Sequence, residues 1–141
     1  MYKTKVGVLY ICTGKYAVFW GDFYKSSQQY FLQEEDVEKH YFVFTDCSEI
    51  KASSDVHIYF KESEGFPADS LGRFDMFLSI EQDLNDMEFV FFFNSNMFFL
   101  EHVGKEILPI NNLSGLAGLQ HPGYYNSGRD KFPYERDPRS T

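Results

Sequence analysis

Two unbroken apolar runs constrain this chain more than anything else in it. Val6-Gly7-Val8-Leu9-Tyr10-Ile11 lies near the start, and Phe89-Val90-Phe91-Phe92-Phe93 lies in the second half. Neither alternates with polar residues, so neither suits a sheet with one wet face. Each reads as a strand covered on both sides, which is the habit of parallel sheets. Parallel neighbours need a long crossover between them, usually helical. The intervening sequence supplies helical spacing twice. Phe19, Phe23, Ser27, Tyr30 and Phe31 recur on one side,. From Ser70 onward, Leu71, Phe74, Leu78, Glu81 and Leu84 form one line with Phe77 and Ile80 beside it. Asp69 or Ser70 stands where a cap would start that helix. His40–Phe44 and Val56–Phe60 have strand propensity,. The alternation predicts an α/β sandwich with a mostly parallel sheet and Phe89–Phe93 as its central strand.

The length of 141 residues points to one domain,. Sixteen Phe, ten Tyr and one Trp make 19% of the chain, which excludes long disorder,. Twenty-one acidic residues against 13 basic ones give a net charge of -8. That excludes a grip on nucleic-acid backbone or on anionic lipid, since both need a basic face. It leaves room for a small anion held by backbone N–H groups or one arginine. No apolar stretch is long enough for a transmembrane helix. The apolar run after Met1-Tyr2-Lys3-Thr4-Lys5 reads as a strand rather than a signal sequence, so the expected location is cytoplasmic. Cys12 and Cys47 are too few for a disulfide scaffold, and free cysteines are favoured over a bridge,.

Ligands in parallel α/β sheets gather at the carboxyl ends of strands. Three segments qualify: Cys12–Tyr16, Thr45-Asp46 and Asn94–Asn96. Alternation aims Asn94 and Asn96 to one side, where two amides can bond sugar or phosphate oxygens. A plain turn explains the same residues equally well. Amides lack the charge to hold a divalent cation, so this site as chemistry predicts a metal-independent enzyme. Thr13-Gly14-Lys15-Tyr16 has neither dinucleotide-binding nor P-loop spacing, and reads first as a loop. Arg73 is the single cation of an apolar helix and can offer a forked donor to a diphosphate, although a surface arginine is the commoner case. His121-Pro122-Gly123-Tyr124-Tyr125 joins a titratable donor to rings that can stack on a sugar, but a lone histidine is more often structural. Glu34-Glu35-Asp36 reads as an exposed loop. No nucleophilic triad and no zinc spacing is present.

Five segments in register carry a family resemblance. They are Val8–Tyr16, Tyr41–Asp46, His102–Leu108, His121–Tyr125 and Tyr134-Glu135-Arg136. Together they resemble family 6 glycosyltransferases, the family of the histo-blood group A and B transferases and the α-1,3-galactosyltransferases. The bacterial branch is the most similar. The resemblance implies a GT-A fold, incomplete at its C-terminus, with residues 1–141 as the donor-binding part of a single domain. It implies retaining transfer of galactose or N-acetylgalactosamine from a UDP-sugar to a β-galactoside in α-1,3 linkage. The alternative is a truncated, inactive chain that at most binds UDP. Ile11, Cys12, Thr13 and Tyr16 match the segment that holds uridine. Arg73 matches an arginine near the donor sugar and diphosphate. Asn94-Ser95-Asn96 stands where animal members carry Asp-x-Asp, and the bacterial branch works there without a metal, so no Mn²⁺ is expected. His121 matches a histidine on the acceptor galactose; Phe66 and Tyr124 are assigned to the acceptor side as well. Phe66 stands where many members have Trp, and Pro133 where members often have Thr. The glutamate expected at the reacting carbon would lie beyond Thr141, so no catalytic residue is named.

Overall fold

The computed structural model describes residues 1–118. Met1–Leu108 form one compact unit; Pro109 opens a second, of which residues 109–118 are described. The first unit is built on four strands: β1 (Thr4–Ile11), β2 (Val37–Thr45), β3 (Val56–Phe60) and β4 (Phe89–Phe93). All pair in parallel, in the order β3-β2-β1-β4. Val8 sits opposite Tyr41 on one side and Phe91 on the other.

Among the described residues the phenylalanine run is therefore not the central strand. Among the described residues β4 lies at the sheet edge, and Val90 is 44% exposed. The sheet centres on β1 and β2, where Val6, Val8, Tyr10, Tyr41 and Val43 are fully buried. Apolarity reports cover on both faces and says nothing about neighbours along the hydrogen-bonding direction. β4 has that cover: Phe91 and Phe93 pack on Phe31 at 5.5 and 5.4 Å, and Phe92 packs on Phe77 at 5.3 Å.

The period-2 geometry of β1 splits the core in two. Val6, Val8 and Tyr10 face α1 (Trp20–Tyr30), which follows a 3-10 turn over Gly14–Phe19 and buries Phe23 and Ser27. Leu9 faces the other way, with Phe42, Phe44, Met76 and Ile80. That second face is covered by three short helices, α2 (Ala68–Leu71), α3 (Arg73–Ser79) and α4 (Glu81–Leu84), where the spacing predicts one. Gly72 and Ile80 leave helical geometry and break the run. Each break rotates the helix, so only part of the expected apolar set faces inward: Ile80 is buried and Phe77 and Leu84 pack on the same cluster. Leu71, Phe74 and Leu78 are 78%, 70% and 65% exposed, while Met76 and Ile80 are buried.

Two smaller expectations also change. Asp69 makes no cap; it lies inside α2 and receives bonds from another loop. Glu34 is not simply exposed: Oε1 accepts the Lys105 N–H at 2.9 Å, and Oε2 is buried without a partner. A Cβ on Gly104 would stand 2.5 Å from Glu34 Oε1, so a larger residue here would have to displace that carboxylate. Cys12 and Cys47 are free. Among the described residues no helix is long and apolar enough to cross a membrane.

Candidate functional site

From β1 the strands proceed outward through β2 to β3, and β4 then returns to the far side of β1. The order reverses between β1 and β4. Such a switch point leaves a crevice beyond the carboxyl ends of the two strands. A cleft of about 250 Å³ lies there. Ile11, Thr13 and Tyr16 come to it from the end of β1, and Phe92, Asn94, Ser95 and Asn96 from the end of β4. Phe66, Asp69, Ser70 and Arg73 form the remaining wall, from α2, its approach and the start of α3.

The floor is set from the core. Tyr10 is fully buried, stacked on Phe23 at 4.4 Å and against Trp20 at 5.2 Å. Its hydroxyl donates to the Ser95 carbonyl at 2.8 Å. Burial pushes the Tyr10 phenol above its ordinary pKa, so it stays a donor,. Met97 N–H closes the turn onto the Asn94 carbonyl at 3.2 Å. Asn94-Ser95-Asn96 is thus both a turn and part of the cleft, with both asparagines exposed.

Arg73 is oriented by two contacts. Its Nε donates to the Ser70 carbonyl at 2.8 Å, and its guanidinium lies 5.0 Å from the centre of the Phe92 ring. Among the described residues it forms no salt bridge. Among the described residues nothing compensates the charge on its two terminal nitrogens at the cleft wall. Thr13 is 3% exposed and donates its hydroxyl to Asp69 at 3.0 Å. Gly14 follows with φ of +56°, a conformation that favours glycine, and its N–H donates to Asp46 at 2.8 Å,. Tyr16 and Phe66 are 40% and 84% exposed, placing open aromatic faces at the cleft.

Glycosyltransferase family 6 matches this sequence over residues 1–141. The chain belongs to that family. It is 36% identical over 140 residues to the O-antigen biosynthesis glycosyltransferase WbnI of Escherichia coli, covering 96% of this chain and 57% of that protein. It is 29% identical to histo-blood group ABO system transferase 1 of Rattus norvegicus, covering 98% of this chain and 40% of the relative. It is 27% identical to the globoside alpha-1,3-N-acetylgalactosaminyltransferase 1 of Gallus gallus, covering 96% and 40%. The chain thus spans about half the length of these relatives.

The structure brings together the donor-side residues assigned to this family 6 chain, except one. Cys12 is fully buried in the α1-facing core and does not line the cleft. Burial pushes its thiol up to about 12, so it is not a thiolate. Its backbone has a structural task instead: N–H donates to Phe44 and C=O accepts the Thr45 hydroxyl, joining β1 to β2. Thr45-Asp46 also misses the cleft; Thr45 is buried and Asp46 stands behind it, holding Gly14. Phe66, assigned to the acceptor side, lines the same cleft as the donor-side residues. His121 and Tyr124 lie outside the described residues. Sequence reasoning does not find Asp69, Ser70 or Phe92 as cleft residues. Phe92 is hidden inside an apolar run, and its position one residue from the strand end is the only signal of it.

Proposed function

We propose that the full protein containing this chain transfers galactose or N-acetylgalactosamine from a UDP-sugar to a β-galactoside, with retention, in α-1,3 linkage. One observation carries the reading. In a chain of family 6, the switch-point cleft combines Thr13, Tyr16, Arg73 and the Asn94–Asn96 turn at one place. The relatives support the reaction class, since two of them are named for α-1,3-N-acetylgalactosaminyl transfer on globoside. Tyr16 offers a ring for the base. Arg73 meets the charge that grows on the diphosphate as the bond to the sugar breaks, where a preorganised donor is worth most. Asn94 and Asn96 bond sugar hydroxyls or phosphate oxygens as neutral amides.

The donor set argues against Mn²⁺ as a partner in this chemistry. Hard divalent cations are held best by charged carboxylate oxygens, and the asparagines supply only neutral amide oxygens. Among the described residues Asp69 is the one carboxylate on the cleft, and it already receives four hydrogen bonds. The reading is tested by transfer from UDP-galactose and UDP-N-acetylgalactosamine to lactose by the full-length protein in excess EDTA. Transfer at the rate seen without chelator is expected. Loss on chelation with recovery on Mn²⁺ refutes the metal-free part, and failure with every β-galactoside refutes the acceptor class.

A further inference from the structure

We propose that Asp69 is a positioning residue, which shapes the cleft by clasping the Lys61–Phe66 loop to the turn after β1. The inference rests on the reading of the cleft as a UDP-sugar site, and adds a residue whose role that reading does not supply. Asp69 lines the cleft, where an acidic group opposes an anionic ligand. Its hydrogen bonds show why it is there. Oδ2 accepts the Thr13 hydroxyl at 3.0 Å, the Ser63 hydroxyl at 3.2 Å and the Gly65 N–H at 3.2 Å. Oδ1 accepts the Glu64 N–H at 3.0 Å. Oδ2 thus carries three bonds and Oδ1 one, so most of the carboxylate's roughly four acceptor positions are taken up by the loops rather than by a ligand,. Asp69 faces the site but serves the loops around it. Burial works against its charge, yet these bonds hold its pKa below the ordinary carboxylate value.

Asp46 completes the clasp from behind. Its Oδ1 accepts the Gly14 N–H at 2.8 Å and its Oδ2 accepts the Ser63 N–H at 3.2 Å. The two loops touch closely enough that a Cβ on Gly14 would stand 3.1 Å from Ser63 Oγ. Phe66 follows directly after the clasped Gly65. At 84% exposure it has little packing of its own to fix it. The clasp therefore sets the distance between Thr13 on one wall and Phe66 on the other.

The test uses the full-length protein and Asp69→Asn, which puts an NH₂ where the site presents only donors. Three quantities are measured: amide hydrogen exchange at Glu64 and Gly65, Kd for UDP by calorimetry, and kcat and KM for the UDP-sugar. Exchange should rise at least about tenfold and UDP should bind about tenfold more weakly, the scale of losing a charge-assisted bond. KM should rise with kcat held within about twofold, a split that general destabilisation would not produce. Thr13→Val and Ser63→Ala each remove one donor and should give smaller shifts in the same direction, which keeps the test decisive should Asp69→Asn fail to fold. Unchanged exchange or unchanged UDP affinity in these variants overturns the clasp. A wild-type protein that binds no UDP overturns the proposed function instead, and the exchange measurement still decides the clasp.

Discussion

Arg73 is held at its Nε and across its face, yet among the described residues no carboxylate pairs with its charge. That combination separates it from a surface arginine, whose charge is solvated and whose side chain wanders. Arg73→Ala should weaken UDP binding by about ten- to a hundredfold, the scale of one or two charge-assisted bonds. Arg73→Lys should recover little, because an ammonium neither forks nor stacks on Phe92 as guanidinium does. Calorimetry with UDP on both variants checks this, and lysine binding as well as arginine would contradict it. Lys39 shows the opposite situation. Its ammonium donates to the Ser27 and Phe31 carbonyls at 3.0 and 2.5 Å, and burial pushes its pKa down to about 8. Below that pH the fold carries a poorly solvated charge. Between about 8 and the unfolded value of 10.5, the unfolded chain binds more protons than the folded one, so stability rises with pH,. Thermal melting at several pH values from 7.5 to 10 should show the wild type gaining on Lys39→Met by on the order of 1 kcal/mol, after allowing for partial solvent screening.

At the scale of elements, the Asn94–Asn96 turn bears the proposed chemistry and α2–α4 bear the surprises. The turn puts two side chains at the cleft from one strand end. Replacing both asparagines by aspartate would supply the missing charge at the same positions. Asn94→Asp/Asn96→Asp should make UDP binding respond to Mn²⁺ by about tenfold or more, since carboxylates bind the hard cation better than amides do. The wild type should show no response; calorimetry with and without Mn²⁺ reads both. Strand existence was legible because each run is short, apolar and bounded by polar residues; Val56–Phe60 and Phe89–Phe93 have the boundaries their composition implies. The helical region was legible as helix but only in part in its facing. Gly72 and Ile80 each reset the rotation, so of the periodicity drawn through the breaks Phe77, Ile80 and Leu84 meet the core but Leu71, Phe74 and Leu78 do not.

For the whole molecule, the architecture was easier to read than the position of each strand within it. Buried parallel strands announce themselves by apolarity, but which strand is central depends on pairing between distant segments. The cleft followed from a general rule about strand ends, and two of the three segments indicated by that rule meet there. Thr45-Asp46 does not, because β2 lies on the side of β1 away from the switch point. Asp69 was beyond sequence reasoning for a related cause: its partners at Thr13 and Ser63 come from other segments and are brought near only by the fold. The acidic balance is compatible with the proposed anionic donor, whose attraction would be local to Arg73.

The hydroxyl of Tyr10 reaches from the most buried strand to the carbonyl of Ser95 at the cleft. Sheet and cleft are therefore not separate compartments. A ligand that favours the intact turn also favours the state in which β1 and β4 are paired, and occupancy becomes folding free energy through mass action. At a hundred times Kd this linkage amounts to about 2.7 kcal/mol. For a domain of ordinary marginal stability, the proposed donor would by this route help determine how much folded protein persists.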